Sequence, residues 1–319
     1  MHTVDIKIFC IAQTRMNGNE TRKWLDHLGA KETPVPRVGD SGHSSCVEVS
    51  DAGAVCGLCA KRCYMSFEPG LNPNVTRVRK VWHDYLENIL KSGHGSVTEH
   101  TSWTFAIEGV SRVFTGEMNR HRAGVAISEG SMRYIRFDDI GFWMPTSLDK
   151  GNMTLMPTKK CSVCKGKGKI EAEQPIPNCC DWCLGTKRKN LLSNDDFEGR
   201  KANTRQFFES GFREMEHNYK EMCAIWGIAE LSDFDTKKKL TSMFRRLIGM
   251  GVATGGTWTM NTRALRHILA LRTSPHAEEE IALVMGLIGK HIVEHEPDLF
   301  SDFSKDEATG AWVPNHVKI

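Results

Sequence analysis

The sequence has no run of the roughly 18 to 20 consecutive apolar residues that a membrane-spanning helix requires. Its first ten residues, MHTVDIKIFC, also lack the basic flank and long apolar stretch of an export signal. The expectation is a cytoplasmic protein with no membrane partner. Charge of one sign is lacking as well: 42 Lys and Arg stand against 39 Asp and Glu, a net charge of +3. So small an excess gives no chain-wide attraction to a polyanion, so a nucleic-acid partner would have to act through a local patch. No internal repeat is present, which excludes a solenoid or propeller. With 319 residues, 40% of them apolar and 25% charged, the chain is long enough to bury a core and too mixed to be disordered.

Cysteine, by contrast, is plentiful. The 11 cysteines are an odd number and are clustered, which speaks against a secreted disulfide scaffold and for reduced thiols that hold a metal. Five of them fall between Gly151 and Asn190, a stretch rich in Lys, Arg and Gly with almost no aliphatic residues. Such a stretch cannot build its own core. Cys161 and Cys164 form one CxxC pair and Cys180 and Cys183 another, with glycines after each (Gly166, Gly168, Gly185), the spacing of a four-thiolate structural zinc site. The pairs resemble the CxxCxGxG knuckles of DnaJ-type zinc modules. Zn2+ bound there would supply the stability that apolar burial cannot. The lysines around the pairs read as a solvated face. Cys56, Cys59 and Cys63 form a second cluster without an obvious fourth ligand.

Periodicity predicts a short strand over Val4 to Ile11, a helix around Glu20 to Leu28, and a helix over residues 76 to 91 from Val78, Val81, Trp82, Tyr85, Leu86, Ile89 and Leu90. Thr101 to Ile107 reads as a strand, and Val110, Val113 and Phe114 open a helix on which Glu117, Arg120 and His121 share a face. Helical patterning resumes at Phe207, Phe208, Phe212, Met215, Tyr219 and Met222, a stripe expected to be core packing, and continues through Leu240 to Leu247, Leu265 to Leu271 and Ile281 to Ile292.

The segment Arg120 to Tyr134, RHRAGVAISEGSMRY, concentrates cationic side chains as an anion site would, although a basic tripeptide alone is usually a solvated face. Upstream stands HGSVTEH (His94 to His100) and downstream NTRALRHILALRTSPHAEEEI (Asn261 to Ile281). Together these resemble the flavin-dependent thymidylate synthases, the ThyX family. The counterparts of its signatures are His94, Ser96, Glu99 and His100, then Arg120, His121, Arg122, Glu129, Ser131, Arg133 and Tyr134, then Asn261, Arg263, Arg272, His276 and Glu280. AKRCYMS (Ala60 to Ser66) is a weaker match that would make Cys63 a fold residue.

The resemblance implies an α+β subunit, an antiparallel sheet flanked by long helices. The catalytic domain would span 1–150 and 198–319, and the zinc module would be inserted at 151–197. It implies a homotetramer that moves a one-carbon unit from methylenetetrahydrofolate to C5 of dUMP, with FAD carrying reducing equivalents from NADPH and no cysteine nucleophile. Bidentate guanidinium groups suit a nucleotide phosphate, and donors at the pyrimidine carbonyls would hold a developing enolate. Arg272, Arg133 and Ser131 would then be catalytic, with Glu117 and Arg245 or Arg246 also at the nucleotide. His100, Arg120, His121, Arg122, Glu129, His276 and Asn261 would hold the flavin. His100 also reads as a buried, partnered histidine, and Arg263 and Arg266 as surface residues or ligands.

Departures from the family pattern leave the product open. One residue more than usual separates Arg122 from Ser131, which would bulge the loop or rotate the RHR side chains. Ser128 stands where Asn is common, and Glu117 and Glu278 where Gln is usual; a Gln to Glu change removes a donor and adds a charge. LIGMGVATGG, after Arg246, lacks an expected proline. A pyrimidine hydroxymethylase, or an enzyme for dCMP whose amine would suit a glutamate acceptor, is the alternative reading. A non-catalytic zinc-dependent nucleic-acid-binding scaffold is a third, and near-neutral charge counts against it.

Overall fold

A computed structural model describes residues 2–35, 49–79, 81–131, 139, 141–160 and 188–317. Arg133, Tyr134 and the cysteines expected to hold zinc, Cys161, Cys164, Cys180 and Cys183, lie outside them. The chain divides into two compact units, one made of residues 4–136, 141–143 and 250–319, the other of 1–3, 137–140 and 144–249.

In chain order the principal strands are β1 (Lys7–Gln13), β2 (Ser102–Ser111), β3 (Val125–Glu129) and β4 (Ala253–Asn261). The helices are α1 (Gly18–His27), α2 (Asp51–Tyr64), α3 (Trp82–Lys91), α4 (Arg112–Met118), α5 (Asn194–Ile225), α6 (Phe234–Phe244), α7 (Thr262–Arg272), α8 (Glu279–His295) and α9 (Pro297–Phe300). The larger unit is built on an antiparallel sheet of order β1-β2-β4-β3. Strand β2 alternates strictly at first, burying Trp103, Phe105 and Ile107. Cross-strand partners extend that face into Cys10, Phe105, Trp258 and Ile127, and helices α2, α3, α7 and α8 contribute Leu58, Leu86, Leu265 and Val284 to the same core.

At Gly109 the register slips by one residue, so that Val110 and Ser111 are both buried. The bulge needs glycine: its φ is +73°, and a Cβ there would lie 2.0 Å from the main-chain oxygen of Asp5. The opposite face of the sheet, where Phe9, Ala106, Thr257 and Ser128 form one row, carries small polar groups and the exposed Phe9 and Ile11.

Side-chain caps set most helix starts. Asn17, Ser50, Ser111, Ser193, Asp233, Asn261 and Glu278 each accept a main-chain N–H of the first turn. Helix α3 is the informative exception. The predicted span 76–91 begins at Trp82, because Val81 offers no side-chain acceptor and Val78 and Val81 are β-branched residues that prefer extended backbone. Gly95–His100 forms a 3-10 turn leading into β2, with His94 just before it.

The smaller unit holds α5 and α6. Lys201 on α5 is buried and places its ammonium on the main-chain oxygens of Asp149 (2.6 Å) and Asn152 (2.9 Å) and on Glu198 (2.8 Å), tying α5 to the 146–152 turn. The aromatic stripe of α5 departs from expectation: Met215 and Tyr219 are buried, but Phe207 is 76% exposed and Phe208 41%. At 32 residues the helix outruns the elements that cover it among the described residues of this unit. Thr158–Lys160 and Arg188–Asn190 pair antiparallel, Lys160 opposite Arg188, so the ends of the cysteine-rich stretch are joined.

Candidate active site

Three elements of the larger unit converge at the C-terminal ends of α4 and α7. Glu117 stands in the last turn of α4, Arg120 and His121 follow it directly, and Arg272 is the last residue of α7. Arg272 is half-buried and gripped at three points: its Nε donates to His121 Nε2 at 2.8 Å, Nη1 to Glu117 Oε2 at 2.8 Å, and Nη2 to the Glu117 main-chain oxygen at 3.4 Å. The other oxygen of Glu117 receives Arg120 Nη1 at 3.3 Å. His267, one turn before Arg272, faces the His121 ring edge-on with centroids 6.4 Å apart.

His121 must therefore present an unprotonated Nε2, which puts its proton on Nδ1. Its surroundings favour that neutral form. Burial, then the charges of Arg272, His267 and Arg120, hold its pKa below the usual histidine range, with Glu117 pulling the other way. The cluster joins one carboxylate to two guanidiniums, so it keeps a positive balance suited to an anion.

Other expected ligands have work inside the chain. Glu129 forms an ion pair with Arg112 and accepts from Asn119 Nδ2 at 2.9 Å, while Asn119 Oδ1 accepts from Trp258 Nε1 at 3.1 Å. Asn261 caps α7 by accepting from Ala264 N at 2.8 Å, and Gly124, at φ +70°, has room only for hydrogen against that amide. Glu278 caps α8, its carboxylate accepting from Glu280 N (2.9 Å) and Ile281 N (3.1 Å). The extra residue between Arg122 and Ser131 makes no bulge in β3, which pairs with β4 in unbroken register from Val125 to Glu129.

His100 is exposed at the end of the 3-10 turn, which overturns its reading as a buried histidine. Arg122 and His276 are exposed too, and none of the three has a side-chain partner among the described residues. Ser131 is half-buried, two residues past Glu129. Arg245 is exposed at the end of α6, in the other compact unit.

Arg263 pairs with Glu99 at 2.5 Å on the surface. Arg266 is neither surface nor ligand. It is 4% exposed and makes a bidentate pair with Asp302 at 2.7 and 2.8 Å beneath the rings of Phe300 and Phe303. Cys56 is buried with its thiol 3.5 Å from the Thr101 hydroxyl, and burial pushes its pKa up to about 12. Among the described residues no group of three or more His, Cys, Asp or Glu side chains is placed to hold a metal.

Sequence reasoning missed Asn119, Arg112 and His267 as supports of this site. The only signal for them was proximity to Glu117 and Arg272 at helical spacing.

The family model of the thymidylate synthase complementing protein matches residues 45–298. A flavin-dependent thymidylate synthase of Haloarcula marismortui is 26% identical over 196 residues, 61% of this chain and 64% of that protein, so the aligned part falls just short of two thirds of the relative. One from a Mycobacterium species, strain JLS, is 25% identical over 256 residues, 80% of this chain and 82% of that protein. Among solved structures, the UMP/dUMP methylase PolB of Streptomyces cacaoi with bound 5-Br UMP has a TM-score of 0.53 at 16% identity, covering 97% of this chain and 96% of that one, a likeness of fold. The matched span contains α4, α7 and every residue of the Arg272 cluster, and the chain belongs to the thymidylate synthase complementing protein family.

Proposed function

We propose that this protein is a flavin-dependent thymidylate synthase that transfers a one-carbon unit from methylenetetrahydrofolate to C5 of dUMP, giving dTMP, with NADPH as reductant. The observation that carries the reading is the fixed guanidinium of Arg272 in a chain of this family. Arginine has five N–H bonds. His121 and Glu117 take three, which leaves two to donate to a pyrimidine carbonyl or a phosphate. Since the group is oriented before substrate arrives, its charge is available at a developing enolate without reorganisation. Arg133 and Ser131 would complete the nucleotide contacts, and Arg245 would be a phosphate partner.

FAD, when bound, would supply the redox chemistry. The exposed donors of His100, Arg122 and His276, unpartnered among the described residues, fit its phosphates together with Arg120, since phosphates favour cationic and N–H partners. Four thiolates at Cys161, Cys164, Cys180 and Cys183 would hold a structural Zn2+ in an insertion at 151–197, a reading supported by the Thr158–Lys160 ladder that closes the stretch. A homotetramer in the cytoplasm is the expected assembly, supported by Phe9 and Ile11 on the open sheet face.

The alternative is a hydroxymethyl product or the use of dCMP, and the dCMP reading calls on Glu117 as an acceptor for the cytosine amine. Arg272 and Arg120 occupy both of its oxygens.

Incubation of the purified protein with methylenetetrahydrofolate, NADPH and either dUMP or dCMP, followed by mass spectrometry, tests the reading. A dUMP product heavier by one CH2 supports thymidylate formation, one heavier by CH2O points to hydroxymethylation, and no change in either nucleotide ends both ideas. A flavin absorbance spectrum and zinc analysis of the same sample check the two bound groups.

A further inference from the structure

Helix α4 carries Glu117 and leads directly to Arg120 and His121, yet it is seven residues long. A helix of that length in isolation is unstable, because nucleation costs more than two turns return, so its placement must come from contacts at its ends. Both ends are held by side chains that flank one short connection, residues 273–278, between α7 and α8. At the C-terminal end Arg272 holds the carboxylate and main-chain oxygen of Glu117. At the N-terminal end Glu280, in the first turn of α8, accepts the Ser111 main-chain N–H on Oε1 at 2.5 Å and the Ser111 hydroxyl on Oε2.

Ser111 in turn caps α4, its Oγ accepting from Val113 N at 3.1 Å and Phe114 N at 3.4 Å. Glu280 and Ser111 are both buried, so no water can replace a lost partner without opening the core. Two helix N-termini, those of α4 and α8, meet at this one carboxyl. Neither the Arg272 cluster nor the flavin donors make use of it.

We propose that Glu280 is a positioning residue for the nucleotide site: through Ser111 it fixes the start of α4, so that Glu117 reaches Arg272 at the other end. The substrate arm of the test rests on the thymidylate synthase reading, whereas the placement of α4 rests on the hydrogen bonds alone. Glu280→Gln keeps the volume and an acceptor for the Ser111 N–H, and Glu280→Ala removes both.

The experiment compares the wild type, E280A, E280Q, E117A and E280A/E117A by hydrogen exchange of the 112–121 segment and by steady-state kinetics with dUMP. In E280A, exchange of that segment accelerates about tenfold or more, and KM for dUMP rises about tenfold while kcat falls less. E280Q stays within about threefold of wild type, and in the E117A background the alanine change adds less than about twofold, because the contact it would misplace is already gone. Unchanged exchange in E280A, or the same fold-loss with and without Glu117, overturns the proposal. If E280A fails to accumulate, Ser111→Ala, which removes the hydroxyl alone, carries the same two arms. If the wild type does not turn over dUMP, the functional reading fails, and the exchange arm, which needs no substrate, still decides the role of Glu280.

Discussion

His121 accepts a hydrogen bond from a guanidinium, and a histidine can do so only while that ring nitrogen is unprotonated. Protonation would turn Nε2 into a donor facing a donor and push Arg272 away. NMR titration of the His121 ring should therefore show a pKa below the usual value, raised by Arg272→Gln, which removes a repelling charge, and lowered further by Glu117→Gln, which removes the one attracting it. Because the folded pKa lies below the unfolded one, the stability this group contributes is present above the ordinary histidine pKa of about 6.5 and is lost as pH falls through the folded value. A shift in the opposite direction for either variant would remove Arg272 as the partner. At this scale the sequence identifies Glu117, His121 and Arg272 as residues of one site. It does not tell what Glu129, expected at the flavin, or Glu278 faces, since a carboxylate looks the same in a sequence whether its partner is a ligand, a helix N-terminus or an Arg112 seventeen positions away.

The helices owe their starts to single residues and their places to tertiary contacts. Helix α7 begins where Asn261 caps it and is anchored by Arg266, whose buried pair with Asp302 ties the segment after α9 to the core. Burial alone would raise the Asp302 carboxyl, but the hydrogen bonds and charge of Arg266 hold it below the usual carboxylate range. Asp302→Ala leaves a buried guanidinium unpaired and should cost about 3 to 5 kcal/mol by denaturant unfolding, whereas exposed Arg263→Ala should cost under about 1 kcal/mol. Similar losses for the two would mean that Arg266 finds another partner. The apolar spacing of α7 was legible, but whether Arg263 or Arg266 faced inward was not: the answer depends on Asp302, 36 residues further on, and on two phenylalanines that cover the pair. Helix α5 shows the reverse case, where a periodic aromatic stripe leaves Phe207 exposed among the described residues.

For the whole molecule, two measurements follow from buried and exposed groups. Burial, with the Glu278 charge, pushes Glu280 up to about 7, against the pull of the Ser111 hydrogen bonds. A folded pKa above the unfolded value means that the native protein holds a proton the unfolded chain releases, so stability falls as pH rises between the ordinary glutamate value and about 7, by at most about 1.4 kcal/mol per pH unit. Chemical denaturation across that window should show the decline in wild type and a flatter profile in Glu280→Gln. The open sheet face gives the second measurement. On the proposed homotetramer, Phe9→Thr with Ile11→Thr should lower the mass read by light scattering without lowering the thermal midpoint, because neither side chain is part of the core; a wild-type mass of one subunit would overturn the assembly, and an unchanged mass in the variant would place its contact elsewhere.

Taken alone, the sequence pointed to the family, to the first two sheet strands, to most of the helices and to the residue types of the site, because these depend on local spacing and side-chain chemistry, whereas α2, β3 and β4 emerged only from the fold. The tertiary structure decided which charges serve the site and which serve the fold. Arg272 and Arg266 lie on the same helix six residues apart, and one meets His121 and Glu117 while the other meets Asp302. That outcome depends on partners brought together from distant parts of the chain, and burial sets the protonation of His121 and Glu280 only once those partners are in place.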